Sequence, residues 1–581
     1  MIWKTEHITP QNDLYSFTQA FRKNSSPSTE SNTIAIVGGG PKGMYALNHF
    51  VNQIHLNPTT KHYQVLWFNR DELFACGPNY DIHQPNYLLI NYCIGHVHAF
   101  HPAYRDLENQ KSFVDWLTAV KIVDTAVEPT DFASRALVGH YLQWVATQTI
   151  RNLPLHVQIE LISQPVIAIT DRDSKATIET NTGHWDVDSL LLTTGHCYQN
   201  SSLIDHPRIP AAQYIRTPYP VSQFENIPPQ AHVGIIGIGL TFIDIALALT
   251  EGRGGSFQQG TYHRSGKEPT IYPFSRTSLP ILCRGPQYQM QRTLYILTES
   301  QFKKWMRRSA KIDFVTEVLP LIEEEVQLAY YAVMFNITDL EMTRNKITQI
   351  PVSERFMLND LLRPALNSEE KIIQYIQMNI DEARKGEEKS PLMAAAAVWG
   401  EICTHIAALY KTVGFTGASQ QQLDQYYFGA FNRVSYGPPI ANMEKICALA
   451  KAGIIRFGAL PNPTISWQAD QQTFSVYDVS GKVIQIHSLI DARIARPALQ
   501  KRNAALYDNL LLQGSIRAHE NEDYIPGSMS IDKCGKCTTI GGLPVYCYGS
   551  NTEGVFFDND TLSRTKNDTA CYWVQETLRQ M

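Results

Sequence analysis

The sequence predicts an α/β fold: two Rossmann-like dinucleotide-binding domains with a large helical insertion. Two observations predict the domains, a strand–glycine–helix pattern near the start and a second one near the middle of the chain. A third predicts the insertion: from about 295 to 452 helix formers dominate and β patterns are sparse. The 581 residues also exceed what one hydrophobic core usually holds.

The first pattern begins with Thr33-Ile34-Ala35-Ile36-Val37, an apolar β-branched run that reads as a buried parallel strand. Gly38-Gly39-Gly40-Pro41-Lys42-Gly43 follows at once, then a helical segment from Met44 to Ile54 and a second strand from Tyr63 to Phe68. Gly38 makes the tight turn, Gly40 lets backbone approach a pyrophosphate, and Gly43 lets helix pack on strand. Pro41 and Lys42 complete the turn, with the helix N-terminus facing the anion. No Gly-Lys-Ser/Thr closes the loop, so it is not a mononucleotide phosphate loop. A ribose normally meets Asp or Glu at the end of the second strand. Here Asn69 stands there, with Asp71 two places later, and either can reach the hydroxyls.

The second pattern is Val233 to Ile236, then Gly237-Ile238-Gly239-Leu240-Thr241-Phe242-Ile243-Asp244. Gly237 and Gly239 keep the turn and the close approach, while Phe242 holds the third glycine place. A further strand, Thr270 to Phe274, ends in Ser275-Arg276. A hydroxyl and a guanidinium there suit the 2′-phosphate of NADPH, which an acid would repel; the alternative for Arg276 is a solvated surface arginine. Two such folds in one chain set a flavin, FAD, against a nicotinamide donor so that a hydride can pass.

Composition agrees with a folded enzyme: 44% hydrophobic, 18% charged, net charge −5. With no strong basic field, nucleic acid is not expected as a partner. Pro391 to Tyr410 is the longest apolar stretch, but Glu401 and His405 within it favour a buried helix over a membrane span. The first 30 residues lack a secretory pattern, and the ten cysteines are scattered, so a cytoplasmic location with reduced thiols is expected. Assembly into a homo-oligomer stays open.

The expected layout is a polar lead-in over 1–30 and a first FAD-domain part over 31–230. The nicotinamide domain takes 231–294, the helical insertion 295–452, and a second FAD-domain part 453–581. In that last part Phe474 to Val479 and Val483 to Ile486 read as a hairpin around Ser480-Gly481-Lys482. A strand from Leu543 to Tyr548 and a final helix after Lys566 are expected to rejoin the FAD domain.

Several segments carry a family resemblance. They include Gly77-Pro78-Asn79-Tyr80-Asp81 with Leu88-Leu89-Ile90-Asn91, Phe113-Val114-Asp115-Trp116-Leu117, and Ser134-Arg135-Ala136-Leu137-Val138-Gly139-His140-Tyr141-Leu142. Leu191-Leu192-Thr193-Thr194-Gly195-His196, Gly237 to Asp244, and Ser275-Arg276 with Leu279-Pro280 and Arg284 follow in order. Ser278 occupies a place where glycine is usual. Arg433 to Pro439, and Tyr548-Gly549-Ser550-Asn551-Thr552-Glu553-Gly554, close the series.

The chain thus resembles the FAD/NAD(P)-binding proteins related to flavin-dependent N-oxygenating monooxygenases, including nitrosuccinate-forming aspartate oxygenases. The resemblance implies that Tyr80, Asn91, Arg135, Gly195, Gly549 and Gly554 lie at the cofactor. It implies an FAD-dependent, NADPH-using monooxygenase that oxygenates the nitrogen of a small amine or amino acid, with oxygen as co-substrate. The alternatives are a flavin reductase or dehydrogenase without oxygen insertion, and a nucleotide-binding protein whose flavin is structural.

Flavin supplies the difficult step, so no catalytic side chain is singled out and no triad is present in the sequence pattern. An amino-acid carboxylate needs a cation, for which Arg284 and Arg433, and beyond them Arg493, are candidates against the plainer role of ion pairing. Cys93, His96, His98 and His101 have metal-ligand chemistry, but they overlie the segment that the resemblance sets beside the flavin, so no metal is expected. Cys534-Gly535-Lys536-Cys537 has redox spacing; its glycine-rich loop near the C-terminus favours incidental surface thiols.

Overall fold

The structure is a computed structural model that describes residues 14, 18, 31–104, 110–121, 126–172, 175–196, 209–285, 294–458, 461–477, 481–496, 498–499, 505–537, 545–559 and 561–581. The expected lead-in, apart from 14 and 18, lies outside the described residues, as do Ser480 of the hairpin turn and residues 543 and 544 of the closing strand.

Along the chain the first fold comprises β1 (Asn32–Val37), α1 (Pro41–Leu56), β2 (Tyr63–Asn69), α2 (Arg135–Arg151), β3 (Val157–Ser163) and β4 (Ser189–Leu192). The second comprises β5 (Tyr214–Ile215), β6 (His232–Ile236), α3 (Leu240–Ala248) and β7 (Thr270–Phe274). The helical region includes α4 (Leu319–Phe335), α5 (Pro391–Thr412), α6 (Phe428–Ser435) and α7 (Ile440–Lys451). The chain closes with β8 (Ser488–Asp491), β9 (Val545–Cys547) and α8 (Ala570–Gln580).

The first sheet has the order β9-β4-β1-β2-β3 and is parallel throughout. Its central strand is apolar at every position from Ile34 to Val37, all buried, because helices and the tail cover both faces. The second sheet, β7-β6-β8-β5, is also parallel. Two three-stranded antiparallel sheets stand beside them, Val166–Arg172 with Lys175–Thr180 and His184–Val187, and Thr464–Gln468 with Thr473–Tyr477 and Val483–Ile486.

Strand pairing corrects the expected boundaries. β8 pairs with β6 and β5 pairs with β8, so the second fold takes strands from before 231 and after 453. The antiparallel hairpin falls between them; from Leu499 on the chain packs against the first sheet's core, and β9 joins that sheet by pairing. A four-residue run such as Ser488-Leu489-Ile490-Asp491 satisfies the edge of either sheet, and its sequence does not say which. The expected return of the tail is met by β9 and by α8, which packs on α1.

From Glu299 to Lys451 the named elements are all helices. α5 carries the longest apolar stretch and packs against α4, with Met393, Trp399, Ile402, Ile406 and Leu409 buried in the core. By length and composition it is the one described helix able to cross a membrane, and most of it is enclosed by protein.

Candidate active site

The two folds and the helical region enclose one cleft of ≈ 1980 Å³. That exceeds the few hundred to about 1,000 Å³ usual for a single small ligand, and gives room for two dinucleotides and a substrate.

Both glycine turns are built alike. Gly38 adopts φ 129° and Gly237 φ 111°, conformations that L side chains resist. The Gly38 amide donates to the Phe68 carbonyl at 3.0 Å, and the Gly237 amide donates to the Phe274 carbonyl at 2.8 Å. Each turn is thereby tied to the end of the neighbouring strand. The second glycine of each pair faces the open cleft: a Cβ added at Gly40 or Gly239 meets no protein atom within 4 Å. Backbone that is bare on the cleft side, at the start of a helix, is what a pyrophosphate requires. At Gly43, by contrast, a Cβ would lie 2.2 Å from the Gly38 carbonyl oxygen, so its glycine serves packing. The residues present therefore fit a dinucleotide at each turn.

Around the first turn, Pro41 and Lys42 line the cleft at the start of α1, and the Lys42 ammonium donates to the Ser563 carbonyl at 3.2 Å and lies 4.8 Å from the Tyr548 ring centre. Asn69 lines the cleft at the end of β2, with its amide donating to Asp71 Oδ1 at 2.9 Å and to the Leu73 carbonyl at 3.1 Å. Tyr80, Asn91, Arg135, Gly195 and Gly549 line it too. Gly554, which the resemblance sets at the cofactor, does not line it: its carbonyl accepts from Tyr410 and Gln420.

Around the second turn Ser275 lines the cleft, but Arg276 is exposed beside it, and its nearest recorded acceptor is the Gln425 carbonyl at 3.4 Å. Ser278 holds φ 52°, the left-handed region that accounts for glycine being usual at that place.

The three arginines differ. Arg433 lines the cleft but donates to the carbonyls of Pro280, Leu361 and Leu362 at 3.0, 2.8 and 3.2 Å, which ties the helical region together. Arg493 forms a two-point pair with Asp491 at 2.7 and 2.9 Å. Arg284 donates to the Ser435 carbonyl at 2.5 Å and lies 5.7 Å from the Tyr436 ring centre, with no ion-pair partner among the described residues. Burial pulls its guanidinium below the ordinary arginine range, against the opposing effect of Tyr436 and Cys93.

The Cys93–His101 run does not converge. His96 and His98 line the cleft, His98 Nδ1 is 2.9 Å from the Phe100 carbonyl, and His101 turns to His49. Nor do Cys534 and Cys537 pair; the close thiols are Cys537 and Cys547, buried at 3.6 Å.

Sequence reasoning missed a charged wall contributed by residues 558–559 and 561–568. Arg564 donates to Asp568 at 3.0 Å and to the Tyr45 carbonyl at 3.0 Å, and Asp568 accepts from His49 at 2.5 Å. Burial, then the Arg564 charge, bring His49 down to about 4. Burial raises Asp568, but the His49 bond and Arg564 outweigh it and hold the carboxyl at about 2. Nearby, Asp558 contacts Lys566 and accepts from the Cys403 thiol at 3.2 Å. The signal was available as a dense run of charge and hydroxyl residues just before the last helix, and only its placement against α1 gives it meaning.

Comparisons with known proteins bear on the fold and the cofactors. Residues 35–197 match the FAD-NAD(P)-binding family model. The chain is 26% identical to nitrosuccinic acid synthase of Aspergillus oryzae, over 88% of this chain and 86% of that protein. It is 24% identical to the nitrosuccinate-forming L-aspartate N-monooxygenase of Streptomyces davaonensis, over 85% and 86% respectively. Its fold is shared with ornithine hydroxylase of Pseudomonas aeruginosa in reduced form, at a TM-score of 0.51 and 12% identity, covering 94% of this chain and all of that one. The chain is an FAD- and NAD(P)-binding oxidoreductase related, along most of its length, to the nitrosuccinate-forming N-monooxygenases.

Proposed function

We propose that this protein is an FAD- and NADPH-dependent monooxygenase that oxygenates the amino nitrogen of a small amino acid, with aspartate the first substrate to test. The relatives named for aspartate chemistry support the reaction class. The observation that carries the substrate class is Arg284, a half-buried cation on the cleft wall without an ion-pair partner among the described residues. A cation held partly out of water gains from an anion beside it, and a carboxylate is the group that its fork geometry best accepts.

Bound at the first turn, FAD would supply two-electron chemistry, linking NADPH oxidation to oxygen. The chain's own residues do the rest. The bare backbone at Gly40 and Gly239 would hold the two pyrophosphates within one cleft. Arg284 orients the substrate by its carboxylate, leaving the amine free to face the reaction centre. Tyr436 Oη lies 3.4 Å from Asp558 and, with the helical wall, limits water around that position.

The test is NADPH consumption with and without added amino acids, together with detection of an N-oxygenated product. Aspartate should accelerate NADPH oxidation and yield that product. Arg284→Gln should raise the KM for the amino acid by about 100-fold, as expected for loss of a charge-assisted bond of roughly 2–3 kcal/mol, with flavin reduction retained. A protein that consumes NADPH at the same rate with or without any amino acid, releasing only reduced oxygen, is a flavin reductase instead.

A further inference from the structure

The wall between the two nucleotide turns contains a buried ion pair that joins one fold to the other. Arg135 begins α2 of the first fold, and its guanidinium lies 3.0 Å from Asp244 Oδ2 on α3 of the second. Tyr219 Oη donates to the same oxygen at 2.5 Å. The Asp244 side chain is 2% exposed and that of Arg135 11%. Arg135 is anchored at its base, because its own amide donates to the Leu88 carbonyl at 2.7 Å. Its Nε is buried and makes no hydrogen bond. A small hollow at this junction is lined by Leu89, Arg135, Ile243, Asp244 and Pro439, so the first fold, the second fold and the helical region meet there.

A buried ion pair adds little net stability, since desolvating two charges offsets their attraction. It does penalise displacement: if the folds shift, both groups are left uncompensated in a low-dielectric wall. Such a pair therefore selects one relative placement of two bodies more than it stabilises either. Hydride transfer needs that selectivity, because a misplacement of 1 Å can slow a reaction about 100-fold.

We propose that Arg135, Asp244 and Tyr219 are positioning residues that set the geometry between the two nucleotide folds for hydride transfer. The inference rests on the two-cofactor reading above. Its test compares the wild-type holoenzyme with Asp244→Asn, Tyr219→Phe and the double replacement Arg135→Met with Asp244→Leu. The double replacement removes both charges while keeping apolar volume, so stability should return toward wild type.

In anaerobic rapid mixing at saturating NADPH, flavin reduction should slow by about 100-fold in the double variant and less in Tyr219→Phe. In Asp244→Asn, whose side chain does not line the cleft, reoxidation by oxygen after chemical reduction should keep the wild-type rate, because it needs one fold only. In the apoprotein, amide hydrogen exchange at the starts of α2 and α3 should quicken in each variant. Wild-type reduction rates in a well-folded double variant would overturn the proposal. So would equal losses in reduction and reoxidation, or unchanged exchange at both helices. If the wild type itself accepts no hydride from NADPH, the two-cofactor reading fails, and the exchange measurement still decides whether the pair couples the folds.

Discussion

The two nucleotide folds share their first two glycines and differ at the third. In the first fold Gly43 lies so near the Gly38 carbonyl and the Trp67 indole that no side chain fits, and α1 runs 16 residues close against its sheet. In the second fold Phe242 fills the equivalent place, buried and packed edge-on against Phe457 at 6.2 Å, and α3 runs only nine residues. Yet both turns keep the strand-end hydrogen bond and the bare second glycine. The difference teaches that the first two glycines make the phosphate cradle, whereas the third sets only how helix and sheet meet. A fold that keeps its cradle with an aromatic ring at the third place has moved the packing problem to a neighbouring element.

The strongest way to break this comparison is to fill each cradle in turn. Gly40→Val should cost at least tenfold in FAD affinity, about 1.4 kcal/mol or more, giving colourless protein after purification. Gly239→Val should keep its flavin and instead raise the KM for NADPH. Retained flavin in the first variant, or lost flavin in the second, would reverse the assignment of the folds.

Phe242→Ala tests the packing role of the third place. It should cost about 3–5 kcal/mol of stability through the cavity it leaves, read as a lower Tm, while NADPH binding at low temperature is retained. A loss of NADPH binding without a stability change would make the ring part of the cradle.

Acid should act on the first fold through the tail that closes it. His49 titrates at about 4 in the folded protein and near 6.5 unfolded, so as pH falls across that window the unfolded chain takes up a proton that the native state refuses. Stability then decreases from about pH 6.5 to 4. Asp568, held at about 2 against an ordinary 3.8, adds a further loss as pH falls through that lower range. The Tm measured against pH should show the upper step, and His49→Gln should flatten it.

The smallest effect is expected at Arg276. Its exposure and its long contact with Gln425 leave it able to turn to a 2′-phosphate. Arg276→Ala should weaken NADPH about tenfold, the scale of one solvent-exposed charge-assisted contact, and leave NADH unchanged. Equal losses for both cofactors would remove the assignment.

Much of this was legible in the chain itself. Local pattern sufficed for β1, α1, β2, β6, α3 and β7, because hydrophobic period and glycine position act within a few residues and leave a local mark. The cleft-facing places of Gly40, Asn69, Gly239 and Ser275 followed from those elements, and that of Arg135 from the family resemblance. The sequence could not choose a sheet for β5 or β8, because an apolar strand pairs with any edge of matching pleat. It could not separate Arg284 from Arg433 and Arg493, since a guanidinium's role depends on which acceptors the fold brings to it. It gave no sign that Arg135 meets Asp244, 109 positions away, or that Arg564 and Asp568 close on α1. Elements are written in local periodicity, whereas partners of buried charges are decided by long-range packing, which leaves no periodic trace.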